Sequence, residues 1–70
     1  MSKNDYGIQV GDLLYDETFD RIGWVHSING NKCHNHWSDG NYGWNSFSIT
    51  ETYKDELFFL QRKMLRESKK

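Results

Sequence analysis

The sequence predicts a mainly β fold: a small antiparallel barrel with a short helical element near the C-terminus. Three observations carry this. Ile22-Gly23-Trp24-Val25-His26-Ser27-Ile28 alternates around a glycine, the pattern of a strand that bends where a small sheet folds over. Asn29-Gly30-Asn31 is a strong hairpin signal, since Asn-Gly supplies the positive φ angles of a type I′ turn, and Asp39-Gly40 is a second hairpin signal. Around the second of them, Trp37 and the pair Tyr42 and Trp44 flank the turn with aromatic rings.

Each element follows in order. Residues 1–7 are polar and read as a loose segment. Ile8 to Tyr15 begins with alternation, turns at Gly11-Asp12, and predicts a first strand over 12–16. Asp16-Glu17-Thr18-Phe19-Asp20-Arg21 is too polar for a core strand and reads as an acidic loop anchored by Phe19. Ile22–Ile28 is the second strand, with Ile22, Trp24, His26 and Ile28 on one face and Gly23, Val25 and Ser27 on the other. Lys32–Trp37 is the third strand and Tyr42–Phe47 the fourth.

The last third supports two readings. Ser48 with Glu51 three residues on forms a capping box, and Ile49, Tyr53, Leu57, Leu60 and Met64 recur at helical spacing, which together describe one helix over 49–66. The other reading, favoured because Phe58 and Phe59 do not share a narrow helical stripe, is a helical turn over 49–55. A closing strand then follows at 57–61, buried on both faces. The barrel then spans 8–61, and 62–70 is a basic tail.

Composition bounds what this object does. A chain of 70 residues is one domain and buries only about 60% of its unfolded surface, so its stability is marginal. Cys33 is its single cysteine, which excludes a disulfide within the chain. Three Trp, four Tyr and four Phe make a core feasible, because a large ring buries about 150–250 Å². Residues 1–40 carry three cations against six carboxylates, and residues 41–70 carry six against four. Non-specific nucleic-acid binders are clearly basic, since phosphate contacts supply most of their affinity, and this chain is basic only at its end. With no apolar run of membrane-spanning length and no export signal, a cytoplasmic protein is expected.

Val10-Gly11-Asp12-Leu13-Leu14, Ile22-Gly23-Trp24-Val25, His36-Trp37-Ser38-Asp39-Gly40 and Phe47-Ser48-Ile49 together resemble the small SH3-like (KOW/Tudor-like) barrel proteins common in bacteriophage genomes. The resemblance covers about residues 10–60 and is one of turn glycines and strand order. It implies an SH3-like barrel that binds proteins or nucleic acids. In its first form this is a phage-encoded modulator of a host complex, working in the host cytoplasm. The basic tail and the histidine-rich third strand depart from the family pattern.

No catalytic signature is present, and the chain reads as non-enzymatic. Adjacent strand residues point apart, so Cys33 and His34 do not pair as nucleophile and base. The carboxylates of the acidic loop lack a pocket for acid–base work. Trp24, Trp37, Tyr42 and Trp44 cannot all be buried in a fold this small. They form the expected partner-binding surface, rimmed by Asp16, Glu17 and Asp20. The alternative is a KOW-type nucleic-acid module in which Lys32, Arg62, Lys63 and Arg66 contact phosphates and the Trp rings stack on bases. A homodimer through the aromatic patch is a further reading. His26, Cys33, His34 and His36 are the only soft-metal set. His34 and His36 share a strand face, and His26 lies near one of them depending on register. Their spacing matches no strong zinc motif, so they are expected to be polar residues of a solvent face, with no metal or cofactor.

Overall fold

The computed structural model describes residues 6–67. Four strands, β1 (Leu13–Asp16), β2 (Arg21–Asn29), β3 (Lys32–Trp37) and β4 (Tyr42–Ser46), form an antiparallel meander in the order β1-β2-β3-β4, followed by helix α1 (Phe47–Glu67). The strands start and stop within a residue or so of their sequence-predicted limits. The sheet is open: among the described residues β1 and β4 are edge strands and do not pair with each other. The expected segments 1–7 and 62–70 extend outside the described residues at 1–5 and 68–70. Of the rest, Tyr6 sits 6.4 Å from the Phe47 ring and residues 62–67 are helical.

The turns come from the residues expected, with different geometry at the first. Asn29 pairs with Lys32, so Gly30 and Asn31 form the turn, and only Gly30 takes a positive φ (63°). That is the pattern of a type II′ turn, not the type I′ turn expected from Asn29-Gly30. In the second hairpin the Gly40 N–H donates to the Trp37 carbonyl at 3.0 Å and the Trp37 N–H to the Asn41 carbonyl at 2.8 Å. Gly40 closes this three-residue loop at φ 90°, where a Cβ would be strained.

The C-terminal third corrects the favoured reading. No strand forms at 57–61; residues 47–67 are one helix of 21 residues, about 31 Å long at 1.5 Å per residue. The run contains neither glycine nor proline and is rich in Glu, Leu, Lys, Arg and Met, which lose little on entering a helix. Its N-cap is Ser46, not Ser48: the Ile49 N–H points to Ser46 Oγ at 3.4 Å. Phe47, Thr50, Tyr53, Leu57 and Leu60 turn towards the sheet, while Ile49, Phe58, Phe59 and Met64 remain exposed. Phe58 and Phe59 are therefore solvent-facing helix residues, not the core of a closing strand.

The helix packs on one face of the sheet, mainly against β1. Between them lies the core of Ile8, Leu14, Val25, Cys33, Trp37 and Phe47, with Ile28 and Tyr53 at its margin. Buried Asn35 crosses this layer, its Nδ2 donating to Asn45 Oδ1 at 3.0 Å and Thr50 Oγ1 at 3.1 Å. Ile28 is in the core layer because the β2–β3 register shifts between Val25 and Ser27. This bulge overturns the expectation that Ile28 shares a face with Trp24 and His26, since one extra residue reverses the alternation beyond it. The bulge is at His26, not at Gly23.

Lys54 ties the helix to the turn before β1, its Nζ lying 3.0 Å from Asp12 Oδ2. Burial alone would raise the Asp12 carboxyl. The Gln9 N–H and the Lys54 ammonium outweigh it and hold its pKa below the ordinary value. A carboxyl that titrates lower in the folded than in the unfolded chain adds stability above its unfolded pKa, about 3.9, and loses it as pH falls through the folded value. Asp12→Asn is therefore expected to lower stability at pH 7 by up to about 1 kcal/mol, the size of a part-exposed pair. In urea titrations the gap between wild type and variant should narrow by pH 3; an equal gap at both pH values would refute this role for the charge.

Candidate functional site

The face of the sheet opposite the helix is built by strand alternation. The core takes Gly23 and Val25 from β2 and Cys33, Asn35 and Trp37 from β3, so Trp24, His26, His34 and His36 project outward. Cross-strand pairing sets them in rows. Leu13 opposes Trp24, Trp24 opposes His36, and His36 opposes Tyr42; one row over, Ser27 opposes His34 and His34 opposes Trp44. The result is a continuous aromatic and imidazole surface across β2, β3 and β4.

The rings order one another. His34 stacks on Trp44 at 4.7 Å between centroids with 21° between planes. His26 stacks on His36 at 4.3 Å and 12°, and His34 meets His36 edge-on at 4.7 Å. Tyr42 lies 5.6 Å from both His34 and His36, and Trp24 lies 5.9 Å from His36. His36 is the hub of the cluster. Its burial, and then the neighbouring imidazoles of His26 and His34, lower its pKa, which favours the neutral ring. The outer rings stay accessible: Trp24 is 39% exposed, Trp44 50% and Tyr42 70%.

Trp24, Tyr42 and Trp44 are thus brought together as expected, and Trp37 is not. Trp37 is 5% exposed and belongs to the core, edge-on to Tyr53 at 4.8 Å, with the Arg21 guanidinium 4.6 Å above its ring. Alternation excludes it from the outer face, because it follows His36 by one residue. Asp16 is also removed from the expected acidic rim. It is buried and ion-paired with Arg21 at 3.2 Å, and Arg21 binds Asp39 at 3.0 Å, joining the two loops at this end of the sheet. Glu17 and Asp20 are exposed, and Asp20 accepts from the Tyr15 hydroxyl at 2.6 Å, which helps push the Tyr15 pKa up to about 12.

The cations of the alternative reading are divided. Lys32 opposes Ser46 beyond the His34–Trp44 row. Arg62, Lys63 and Arg66 lie on the helix, where they line a shallow groove with Phe59. Sequence reasoning, which sets Ile22 and His26 on one face with Trp24, missed that His34 and His36 join that surface and that Leu13 extends it. The strict alternation of Cys33-His34-Asn35-His36-Trp37 was the signal for the histidines.

Comparison with protein-family models, curated proteins and solved structures finds no match for this chain. Among the described residues, no helix is long and apolar enough to cross a membrane.

Proposed function

We propose that this chain is a non-enzymatic binding module that docks a protein partner on the outer face of its sheet. The scaffold is a relative of the SH3-like barrels in which a helix, not a fifth strand, covers the inner face. One observation carries the reading: Trp24, Tyr42 and Trp44 form one exposed surface on the side that the helix leaves open. Trp and Tyr dominate interface hot spots, and rings already packed against histidines, Trp44 stacked on His34 and Tyr42 tilted against His36, lose little freedom on binding. Asp20, exposed beside the Tyr15 hydroxyl, puts a negative charge at one end of the sheet that suits a partner with basic residues at its edge, while the Glu17 N–H donates to Glu56 of the helix. The module acts by occlusion or recruitment, and its resemblance to phage barrels makes a bacterial host complex the partner to test first.

The KOW-type alternative has less support, because Arg62, Lys63 and Arg66 lie on the helix and do not interleave with the aromatic rings. Capture from bacterial lysate by the full chain, with and without nuclease, separates the two. A stoichiometric, nuclease-resistant protein band is expected, weakened by Trp44→Ala or Tyr42→Ala by about 2 kcal/mol, roughly 30-fold in Kd. Binding that disappears with nuclease, falls steeply with salt and depends on residues 62–70 would replace this reading with the nucleic-acid one. Sedimentation of the isolated chain tests whether a second copy occupies the face instead.

A further inference from the structure

The three outward histidines of β2 and β3 do more than extend an aromatic surface. One ring nitrogen from each of His26, His34 and His36 lies within 4.8 Å of the other two. Two of these residues share a face of β3 by alternation. The third comes from the bulge in β2, where the extra residue is accommodated and His26 lies over His36 rather than directly across from His34. Bulges commonly re-aim a side chain beside a functional site.

A second observation points to a ligand. His36 Nε2 is shielded from solvent and has no hydrogen-bond partner among the described residues. A buried polar atom without a partner costs about 1–3 kcal/mol, so folded proteins rarely leave one. It is surrounded by the rings of Trp24, His26, His34 and Tyr42, and none of their polar atoms hydrogen-bonds to it.

We propose that His26, His34 and His36 form a three-imidazole site for a divalent late-transition-metal ion, Zn²⁺ in the first instance, with a fourth coordination position facing solvent. Imidazole is the ligand type such ions prefer, and three protein ligands with one open position are a common zinc arrangement. Zn–N bonds of about 2.0–2.1 Å in a tetrahedron set ligand nitrogens about 3.3 Å apart. From separations of up to 4.8 Å the ring nitrogens must close by at most about 1.5 Å, and the stacked rings of His26 and His36 must turn out of parallel so that both lone pairs meet the ion. Tyr42 and Trp44 wall the site on the β4 side, and Trp24 bounds it beyond His36. No carboxylate contacts the imidazoles among the described residues, so the bound ion keeps its positive charge and favours water, hydroxide or an anionic group in the fourth position. This site does not depend on the protein-partner reading.

The test is calorimetric titration of the tag-free full chain with Zn²⁺ at neutral pH, beside His34→Gln and His36→Ala, with Co²⁺ as the spectroscopic probe. One equivalent of Zn²⁺ is expected to bind with a raised melting temperature, and Co²⁺ to show the intense visible absorption of four-coordinate cobalt. Each substitution should weaken Zn²⁺ binding by more than about 10-fold, beyond what loss of an outer-sphere partner costs. Both positions are outside the core, and the metal-free melting temperature of each variant checks that it folds. Absence of saturable Zn²⁺ binding would overturn the proposal. So would weak binding that survives both substitutions, which is the behaviour of isolated surface histidines.

Discussion

Trp37→Ala is expected to leave the chain largely unfolded at room temperature. Trp37 is the largest side chain of the core, with the Arg21 guanidinium over its ring and Tyr53 packed perpendicular to it. Removing a buried tryptophan costs about 3–5 kcal/mol, through lost transfer energy and the cavity left behind. A single core in a chain this short seldom supplies more than about 3–5 kcal/mol in total, so the loss approaches the whole of the stability. The variant also leaves Arg21 without its aromatic platform, although its pairs with Asp16 and Asp39 remain. Trp44→Ala is the matched control. Trp44 is half exposed on an edge strand, and its removal should lower stability by less than about 1 kcal/mol. Urea denaturation followed by far-ultraviolet circular dichroism measures both. Equal losses for the two tryptophans would contradict the assignment of one to the core and the other to the surface.

Gly23→Ala is expected to have the second largest effect, from the addition of a single carbon. A Cβ at this position would lie 2.5 Å from the His36 carbonyl oxygen and 2.5 Å from Cε3 of the Trp37 indole. The carbonyl belongs to the paired neighbouring strand and cannot withdraw without breaking the ladder. The indole is held by Arg21 over its ring and by Tyr53 packed perpendicular to it. Overpacking of this kind costs about 1–3 kcal/mol, and contact with backbone puts it at the upper end. The strain lies in space and not in the backbone angles, as Gly23 is not among the positive-φ glycines. Gly43→Ala is the comparison, since a Cβ there meets nothing within 4 Å. A midpoint for Gly23→Ala that matched wild type would show that the indole has room to move.

The local features of the fold were legible because local physics decides them. Alternation in Cys33–Trp37 sorted outward histidines from inward residues, and Gly30 and Gly40 marked both hairpins. The C-terminal helix is legible in its spacing, although two adjacent phenylalanines off a single helical stripe favour a strand buried on both faces. Phe58 and Phe59 stay exposed because helical spacing turns them away from the side on which Leu57 and Leu60 face the sheet. The candidate surface was legible in type and not in membership. Residue type singles out Trp24, Tyr42 and Trp44 but also Trp37, which stands one residue out of phase with His36 and faces the core.

Residue type, turn glycines and strand period, all properties of short stretches of chain, determined the limits of the first four strands and the aromatic character of one face. The tertiary structure alone decided what depends on pairing between distant residues. A bulge at His26, invisible to alternation, turned Ile28 into the core and set His26 over His36. Arg21 captured Asp16 and removed it from the surface, and a close approach between strands made Gly23 indispensable. Register and close packing depend on the sum of many weak contacts across the sheet, and no window of the sequence contains that sum.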